Sequence, residues 1–337
     1  MDPPILARVI RGETIESVHR GHLIAIGGDG KVPFQIGDPY AVTYLRSAAK
    51  PFQAVPFVAS GAAEAFGLTE DEIALACASH SGEPIHVAVC ARMLEKAGLS
   101  ESDLQCGTHL PFNEKETEKL LRDHADISQL YNNCSGKHAA MLAFAKHINS
   151  ETGAYLRCDH PVQQEILKTL SVFCEIPNEN IAIGIDGCCA PNFALPLDAM
   201  ARGFLNLVSP PPDFADDVCS AAKRIVEAML NHPELIGGTE RLDTILMKAA
   251  PGKFISKVGA DGVWLCGVLP GEKLPKGLAV ALKIEDGDDK RARPVVAIEI
   301  LRRLGILSVD DLAELSPMPI SNRRGEVVGE TQAVIKI

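Results

Sequence analysis

Residues 44–53, YLRSAAKPFQ, mark the place where the hydrophobic pattern of the chain changes. Before them, residues 4–44 combine β-branched side chains with alternation at period two, which predicts a small antiparallel meander. After them, residues 51 to about 175 carry apolar positions at helical spacing, which predicts a helical layer. Pro51 has no backbone N–H, so we expect a tight turn over residues 47–50 that leads into a helix beginning near Pro51.

The second half of the chain returns to strands. NIAIGIDGCCAPNFALPL predicts a buried strand and an irregular turn, and helices follow at about 196–207 and 213–231. GKFISKVGADGVWLCGVLP and KGLAVALKIEDG predict a pair of hairpin strands, and DKRARPVVAIEILRRLG an amphipathic helix. This order indicates an α+β fold in which both sets of strands share one mainly antiparallel sheet flanked by helices. We expect a sheet-containing α/β/α lobe (residues 1–50 and 180–337), a mainly helical lobe (51–179), and an active site at their border.

The composition is that of an ordinary globular protein, with 46% hydrophobic and 23% charged residues in a chain of 337. A formal net charge of −11 argues against nucleic-acid and anionic-membrane partners and favours a small-molecule or protein partner. No apolar run reaches the roughly 18 residues of a membrane helix, and the first ten residues lack a signal-peptide pattern. We therefore expect a cytoplasmic protein in which most of the ten cysteines are buried thiols and a few are ligands.

The first candidates for chemistry are Ser47 and Lys50, which lie on one face of a helical turn. A serine hydroxyl needs a neighbouring base at neutral pH, and a desolvated lysine has a lowered pKa that suits this task. The alternative is a helix cap followed by a solvated lysine, because S-x-x-K is frequent by chance. The motif alone does not separate these interpretations.

Two later segments supply parts that match a serine-lysine acyl-transfer site of the penicillin-binding-protein class. SKVGADG places Lys257, followed by Val258 and Gly259, on a predicted strand, and ASHSG offers Ser79 and Ser81. Each has a simpler interpretation, as a strand-edge lysine or a capping serine. Their order along the chain favours the catalytic one.

A third cluster lies in YNNCSGKHAAMLAFA, just before a predicted helix whose free N–H groups would attract a carboxylate or oxyanion. Lys137 in the first helical turn opposes the helix dipole, which indicates another role, although an ordinary capping loop is the alternative. Metal binding has weak support from spacing, because no C-x-x-C pair accompanies Cys134, Cys188 and Cys189. The segment HSGEPIHVAVC lacks metal-ligand spacing as well, and we interpret it as a helix start with a core cysteine.

At LRSAAKPFQ, CASHSGEPIH, YNNCSGKHAAML, DGCCAPNFALPL and KVGADGVW the chain resembles the Rhizobium etli type of L-asparaginase, in the asparaginase II family. The similarity extends from the N-terminal meander to EDGDDKRARP. It implies a fold related to serine β-lactamases and glutaminases. It also implies hydrolysis of L-asparagine to L-aspartate and ammonia by a homodimer.

The resemblance also implies roles for individual residues. The two Ser-Lys tandems of the family fall on Ser47 with Lys50 and on Ser79 with Lys257, although Lys253 is close to the last position. The zinc site of the family, two cysteines and a lysine, falls on three residues of this sequence: Cys134, Lys137 and Cys188. Cys189 is an alternative to Cys188 by physical reasoning alone.

The expected mechanism is attack of the Ser47 hydroxyl on the side-chain amide carbon, with a neutral lysine as base and an acyl-enzyme that water cleaves. Candidates for binding the substrate's charged groups are Arg46, His80, Asn133, Lys137 and Asp186. Zinc-activated water is a rival mechanism. A β-lactamase-like or peptidase enzyme and a non-catalytic thiol or zinc sensor are the other classes, and the preference between asparagine and glutamine is open.

Overall fold

The computed structural model describes residues 2–335 and contains eleven strands within that range. The strands are β1 (Ile5–Arg11), β2 (Thr14–Gly27), β3 (Phe34–Ile36), β4 (Val42–Tyr44), β5 (Ala182–Ile185), β6 (Pro191–Pro196), β7 (Phe254–Gly259), β8 (Val263–Val268), β9 (Leu278–Ile284), β10 (Met318–Ser321) and β11 (Val327–Ala333). All of their pairings are antiparallel.

Twelve α-helices accompany these strands in the described part of the chain. They are α1 (Lys50–Ala59), α2 (Ala62–Ala65), α3 (Glu70–Ala76), α4 (Pro84–Lys96), α5 (Glu114–Arg122), α6 (Ser135–His147), α7 (Pro161–Cys174), α8 (Leu197–Val208), α9 (Asp216–Asn231), α10 (Pro233–Ile236), α11 (Leu242–Ala249) and α12 (Ala292–Arg303). A 3₁₀ turn, Arg46–Ala49, joins β4 to α1. None of the helices among residues 2–335 is long and apolar enough to cross a membrane.

The main sheet joins the two ends of the chain. Its order is β10-β11-β1-β2-β9-β8-β7, with β3 paired to β2. The junction is the β2–β9 ladder, from Gly21 opposite Ile284 to Gly27 opposite Leu278. The predicted α+β class and the sharing of one sheet by early and late strands are therefore confirmed.

Helices cover both faces of this sheet. Helix α8 packs on β2, β8 and β9, and α12 packs on β1, β9 and β11. Every residue of β7 and β8 is buried, which explains why their sequences are almost continuously apolar rather than alternating. The helical part packs around α1, which contacts α6, α7 and α9, with Phe52 between Phe173 and Phe204 at ring-centroid distances of 5.8 and 5.5 Å.

Two strand predictions were wrong. Strands β4, β6 and β5 form a separate three-stranded sheet, and β5, predicted to be buried, is a largely exposed edge strand. Strands β10 and β11 were not predicted at all. Both lie at one end of the main sheet, where half-exposed positions produce little hydrophobic patterning. The small sheet matters for function, because β4 leads into Ser47 and β5 leads into Cys188.

Candidate active site

The turn that carries Ser47 is held in an unusual backbone conformation. Arg46 has a φ of 52°, in the left-handed region that costs a non-glycine residue roughly 1–3 kcal/mol. Its N–H donates to Asn192 Oδ1 at 3.1 Å, and its guanidinium pairs with Asp186 at 3.2 Å and Asp261 at 2.8 Å. These contacts hold the backbone conformation that orients the Ser47 side chain.

Ser47 opens onto a cleft of about 630 Å³ that Ser79 and Asn133 also line. Within residues 2–335 the Ser47 hydroxyl has no hydrogen-bond partner, so it is available to a substrate. A larger groove of about 880 Å³ lies between α1 and α7, with Val55 and Phe173 in its wall. That groove contains none of the candidate serines and lysines, so we place the active site in the smaller cleft.

Gly259 explains why the K-x-G segment meets this turn. A Cβ atom at Gly259 would lie 2.4 Å from the carbonyl oxygen of Leu45, so only glycine lets β7 approach the backbone next to Ser47 so closely. The approach brings Ala260 to the cleft wall. The serine turn and the end of β7 thus form one surface, as the order of the two motifs predicted.

Lys50 is buried, with 1% of its surface exposed, and its amine lies against Ser79 rather than Ser47. Nζ is 2.8 Å from Ser79 Oγ, 2.5 Å from the carbonyl oxygen of Ala78 and 3.1 Å from that of Asn133. No hydrogen bond joins Lys50 Nζ to Ser47 within the described chain. The structure therefore links the lysine of the first tandem to the serine of the second.

These contacts suit a neutral amine. Burial lowers the pKa of Lys50, and the charge of Lys137 lowers it further, although Cys134 and Cys188 oppose this. A neutral amine has two N–H groups and one lone pair. An ammonium would donate to all three oxygens, whereas in the neutral form the carbonyl oxygens of Ala78 and Asn133, which can only accept, would take the two N–H groups and the lone pair would face the Ser79 hydroxyl. In this state Lys50 can receive the proton of Ser79.

Lys257 is also fully buried, but its partner is an acid. Nζ lies 3.2 Å from Asp243 Oδ2 and 3.2 Å from the Val258 carbonyl, and no hydrogen bond joins it to Ser79 among residues 2–335. Burial lowers the pKa of Lys257 to about 8 despite the opposing charge of Asp243. Asp243 also accepts hydrogen bonds from Ser256 Oγ and the Val258 N–H, at 2.7 and 3.0 Å. Lys253 is exposed and lies outside the cleft lining.

The three residues of the predicted metal site meet beside Lys50. Lys137 Nζ is 3.1 Å from Cys188 Sγ, and Cys134 contacts both Cys188 and Lys50. The hydrogen bond from Cys134 lowers the pKa of Cys188, while the same bond and burial raise that of Cys134. Cys188 is buried and Cys189 is exposed, so Cys188 is the cysteine that faces Lys137.

His138 and Tyr155 support this cluster. The Tyr155 hydroxyl accepts from the Gln105 N–H at 3.0 Å, so its own proton goes to His138 Nδ1 at 2.6 Å. The imidazole then carries its proton on Nε2, which has no hydrogen-bond partner among residues 2–335, and the ring lies close to Cys188. Burial keeps His138 neutral, with a pKa of about 4. A neutral N–H donor next to Cys188 favours its thiolate form.

The donor set of this cluster fits a zinc ion. Among residues 2–335 no group of three or more His, Cys, Asp or Glu side chains is arranged to hold a metal. A metal at this place would therefore need the Lys137 amine as third donor beside the two sulfurs, leaving one tetrahedral position open. Binding would also require Lys137 and both thiols to lose their protons.

The predicted substrate-binding residues differ in their access to the cleft. Asp186 and Arg46 form an ion pair near the Ser47 turn, and Asn133 lines the cleft. His80 lies behind the wall with no exposed surface. Its Nδ1 accepts from the Gly82 N–H at 3.2 Å and its Nε2 bonds to Ser135 Oγ at 3.0 Å, so neither ring nitrogen is free for a substrate.

Comparison with known proteins decides the family. The L-asparaginase II family model matches residues 7–333. The chain belongs to the L-asparaginase II family. This membership makes the protein an amidohydrolase and agrees with a cleft that holds an unpartnered serine and a second serine backed by a buried lysine. A search of curated protein sequences found no match.

Solved structures that resemble the chain of this L-asparaginase II family member share little sequence with it. One is a glutaminase from Bacillus subtilis in covalent complex with 5-oxo-L-norleucine, with 11% identity, a TM-score of 0.42, and coverage of 86% of this chain and 87% of that one. Another is the carbapenemase VCC-1 from Vibrio cholerae, with 14% identity, a TM-score of 0.38, and coverage of 86% and 95%.

Several site residues were not predicted from the sequence. Asp243, Arg241 and Tyr155 reach the site from segments without a recognisable motif. The only signal for Asp243 was its position in the first turn of α11, where an acid is expected for helix stability. His138 did carry a signal, because it is adjacent to Lys137 in an unusual polar segment.

Proposed function

We propose that the protein hydrolyses the side-chain amide of L-asparagine to L-aspartate and ammonia, with Ser47 as the nucleophile. The observation that supports this proposal is the unpartnered Ser47 hydroxyl in a cleft that also holds Ser79 in contact with buried Lys50. Membership of the L-asparaginase II family supports the substrate.

In the first step Ser47 Oγ attacks the amide carbon and its proton moves toward Lys50. Ser79 lies between the cleft and the lysine, so we propose that Ser79 accepts the proton of Ser47 while passing its own to Lys50 Nζ over 2.8 Å. The lysine gains one proton and the tetrahedral intermediate gains one negative charge. Burial disfavours the ammonium form of Lys50, so the neutral amine that accepts this proton is available before the step.

The negative oxygen of the intermediate needs hydrogen-bond donors. The backbone N–H groups of Ser47 and Ala260 border the cleft and have no acceptor within residues 2–335. We propose that these two groups bind the oxyanion, and that the closeness of Gly259 to Leu45 places them together.

The intermediate collapses when the leaving nitrogen receives a proton. Protonated Lys50 returns that proton through Ser79, the C–N bond breaks, and ammonia leaves an aspartyl ester on Ser47. Water then attacks the ester carbon while Lys50, neutral again, accepts its proton through the same route. Cleavage of the ester returns a proton to Ser47 and releases L-aspartate.

We propose that Cys134, Lys137 and Cys188 hold a zinc ion next to this site. Zinc held there would supply a positive charge and Lewis acidity to the site. Its charge would lower the pKa of Lys50 further by repulsion, because Cys134 contacts the Lys50 amine. His138 would orient Cys188 through its Nε2 proton.

The zinc assignment predicts about one zinc per chain in protein purified without chelator, as measured by elemental analysis. Cys188→Ser is expected to lower the zinc content several-fold, because it removes a thiolate from a three-donor set. Cys189→Ser is the matched control and should keep its zinc, since that side chain is exposed. Metal-free wild type, or equal loss in the two variants, contradicts the assignment.

The function itself is tested by release of ammonia from L-asparagine, with L-glutamine in parallel, by the wild-type protein. We expect L-aspartate and ammonia in equal amounts from asparagine. Turnover of glutamine alone would mean that the same site accepts a substrate whose side chain is one methylene longer. Absence of turnover with both amino acids would contradict the proposed function and return the β-lactamase-like and sensor alternatives to consideration.

A further inference from the structure

Arg241 lies at the start of α11 and lines the cleft that contains Ser47 and Ser79. Among residues 2–335 its guanidinium has no hydrogen bond and no salt bridge, and its contact is with a ring. Its Cζ atom lies 5.3 Å from the centroid of Phe112. A guanidinium has five N–H donors, so an arginine in a cleft without an acceptor has its full donor capacity available.

The other buried or paired cations around the cleft are already engaged. Arg46 is held by two aspartates, and Arg293 pairs with Asp289 and donates to the Gly259 carbonyl at 2.7 Å. Lys50 and Lys257 use their amines within the protein, as described above. Lys290 has no salt bridge in the described chain, but it is exposed at the rim. Among residues 2–335 Arg241 is therefore a partly buried cation of this cleft that has neither a hydrogen bond nor a salt bridge through its guanidinium, with the charges of Asp243 and Asp289 nearby.

The contact with Phe112 leaves the N–H donors of the Arg241 guanidinium free to bind a ligand. A cation–π contact uses no N–H donor, so the N–H groups along the edge of the guanidinium stay available for hydrogen bonds. A carboxylate binds to that edge with two parallel hydrogen bonds. The ring thus restricts the orientation of the guanidinium without consuming a donor.

We propose that Arg241 binds the α-carboxylate of the amino-acid substrate, an inference that rests on the function proposed above. The side-chain amide of the same substrate would then extend toward Ser47. This assigns the carboxylate to a residue other than Arg46, whose guanidinium already has two carboxylate partners. It follows that the enzyme requires a free α-carboxylate and discriminates against asparagine within a peptide.

The test compares L-asparagine with L-asparaginamide, whose α-carboxylate is a neutral amide, in the wild type, Arg241→Gln and Arg241→Lys. Product formation is followed by chromatography, because L-asparaginamide must give L-isoasparagine if its side-chain amide is cleaved. We expect Arg241→Gln to lower kcat/KM for L-asparagine about 100-fold, mainly through KM, and to change kcat/KM for L-asparaginamide less than about threefold. Arg241→Lys should be intermediate, because lysine lacks the bidentate edge.

Lys290→Gln is the matched control, since it removes an exposed cation from the same cleft and should change both substrates less than about threefold. Equal losses with both substrates in Arg241→Gln and Arg241→Lys, or no loss with L-asparagine, would overturn the proposal. Calorimetric titration with L-aspartate separates this inference from the proposed function. Binding by the wild type that weakens in Arg241→Lys supports the carboxylate site even without turnover, and no binding by the wild type overturns it.

Discussion

Ser47→Ala is expected to lower asparagine hydrolysis by about 10⁴-fold or more, because removal of a nucleophile eliminates the covalent route. The substitution deletes one hydroxyl without a hydrogen-bond partner among residues 2–335, so the free energy of unfolding should change little. The measurement is kcat/KM for ammonia release, together with mass spectrometry of rapidly quenched wild type for an aspartyl ester on Ser47.

Ser79→Ala is the informative comparison for this prediction. If Ser79 only passes a proton, its loss should cost about 10²- to 10⁴-fold, and the aspartyl ester should still form on Ser47. An ester found on Ser79 would instead make the Ser79–Lys50 pair, 2.8 Å apart, the nucleophile and base. Ser81→Ala serves as a control, because the Ser81 hydroxyl donates to the Gly237 carbonyl at 3.0 Å and has no role in the proposed mechanism.

Lys50→Met is expected to lower kcat/KM by about 10³-fold or more and to remove the pH dependence that comes from this lysine. The lowered pKa of Lys50 predicts that wild-type activity rises with pH as the amine loses its proton, because only the neutral amine accepts one. The apparent pKa of this rise should lie below the ordinary value for lysine, about 10.4. The pH profile of kcat/KM for wild type and variant is the measurement.

Lys253→Met provides the control for Lys50→Met, since Lys253 is an exposed lysine outside the cleft. It should keep both the rate and the pH profile of the wild type. A normal rise of activity with pH in Lys50→Met would transfer the role of base to another group, with Lys257 as the next candidate because its pKa is lowered to about 8.

The same lowered pKa has a consequence for stability. The folded protein binds a proton at Lys50 less readily than the unfolded chain does, so this group destabilises the fold below its folded-state pKa. That cost decreases as pH rises from the folded-state pKa toward the unfolded value. The contribution of Lys50 to the free energy of unfolding therefore increases with pH over that interval, and Lys50→Met should lack it.

The order of strands and helices followed from local patterns. The change from period-two to helical spacing around residues 44–53 predicted both the β-strands before Ser47 and the helix α1 after it. The late strands β7, β8 and β9 were predicted in the same way, because long apolar runs with β-branched residues are typical of buried strands. Such patterns are weak at half-exposed edges, which is why β10 and β11 were missed.

The candidate residues were also found mainly from short motifs and from the resemblance, but their partners were not. The family assignment is confirmed by the match over residues 7–333. The homodimer, the cytoplasmic location and the zinc remain predictions. Motif spacing paired Ser47 with Lys50, whereas the folded chain directs the Lys50 amine to Ser79 and engages Lys257 with Asp243.

The sequence by itself determined the α+β class, the family and three polar residues of the cleft, Ser47, Ser79 and Asn133. Only the tertiary structure decided which lysine meets which serine, that Cys188 rather than Cys189 faces Lys137, and that Arg241 has no salt bridge among residues 2–335. The physical reason is that periodicity depends on neighbours along the chain. Hydrogen bonds and burial at this site depend on segments that are brought together only when the small sheet, β7 and helices α1, α6 and α11 pack against one another.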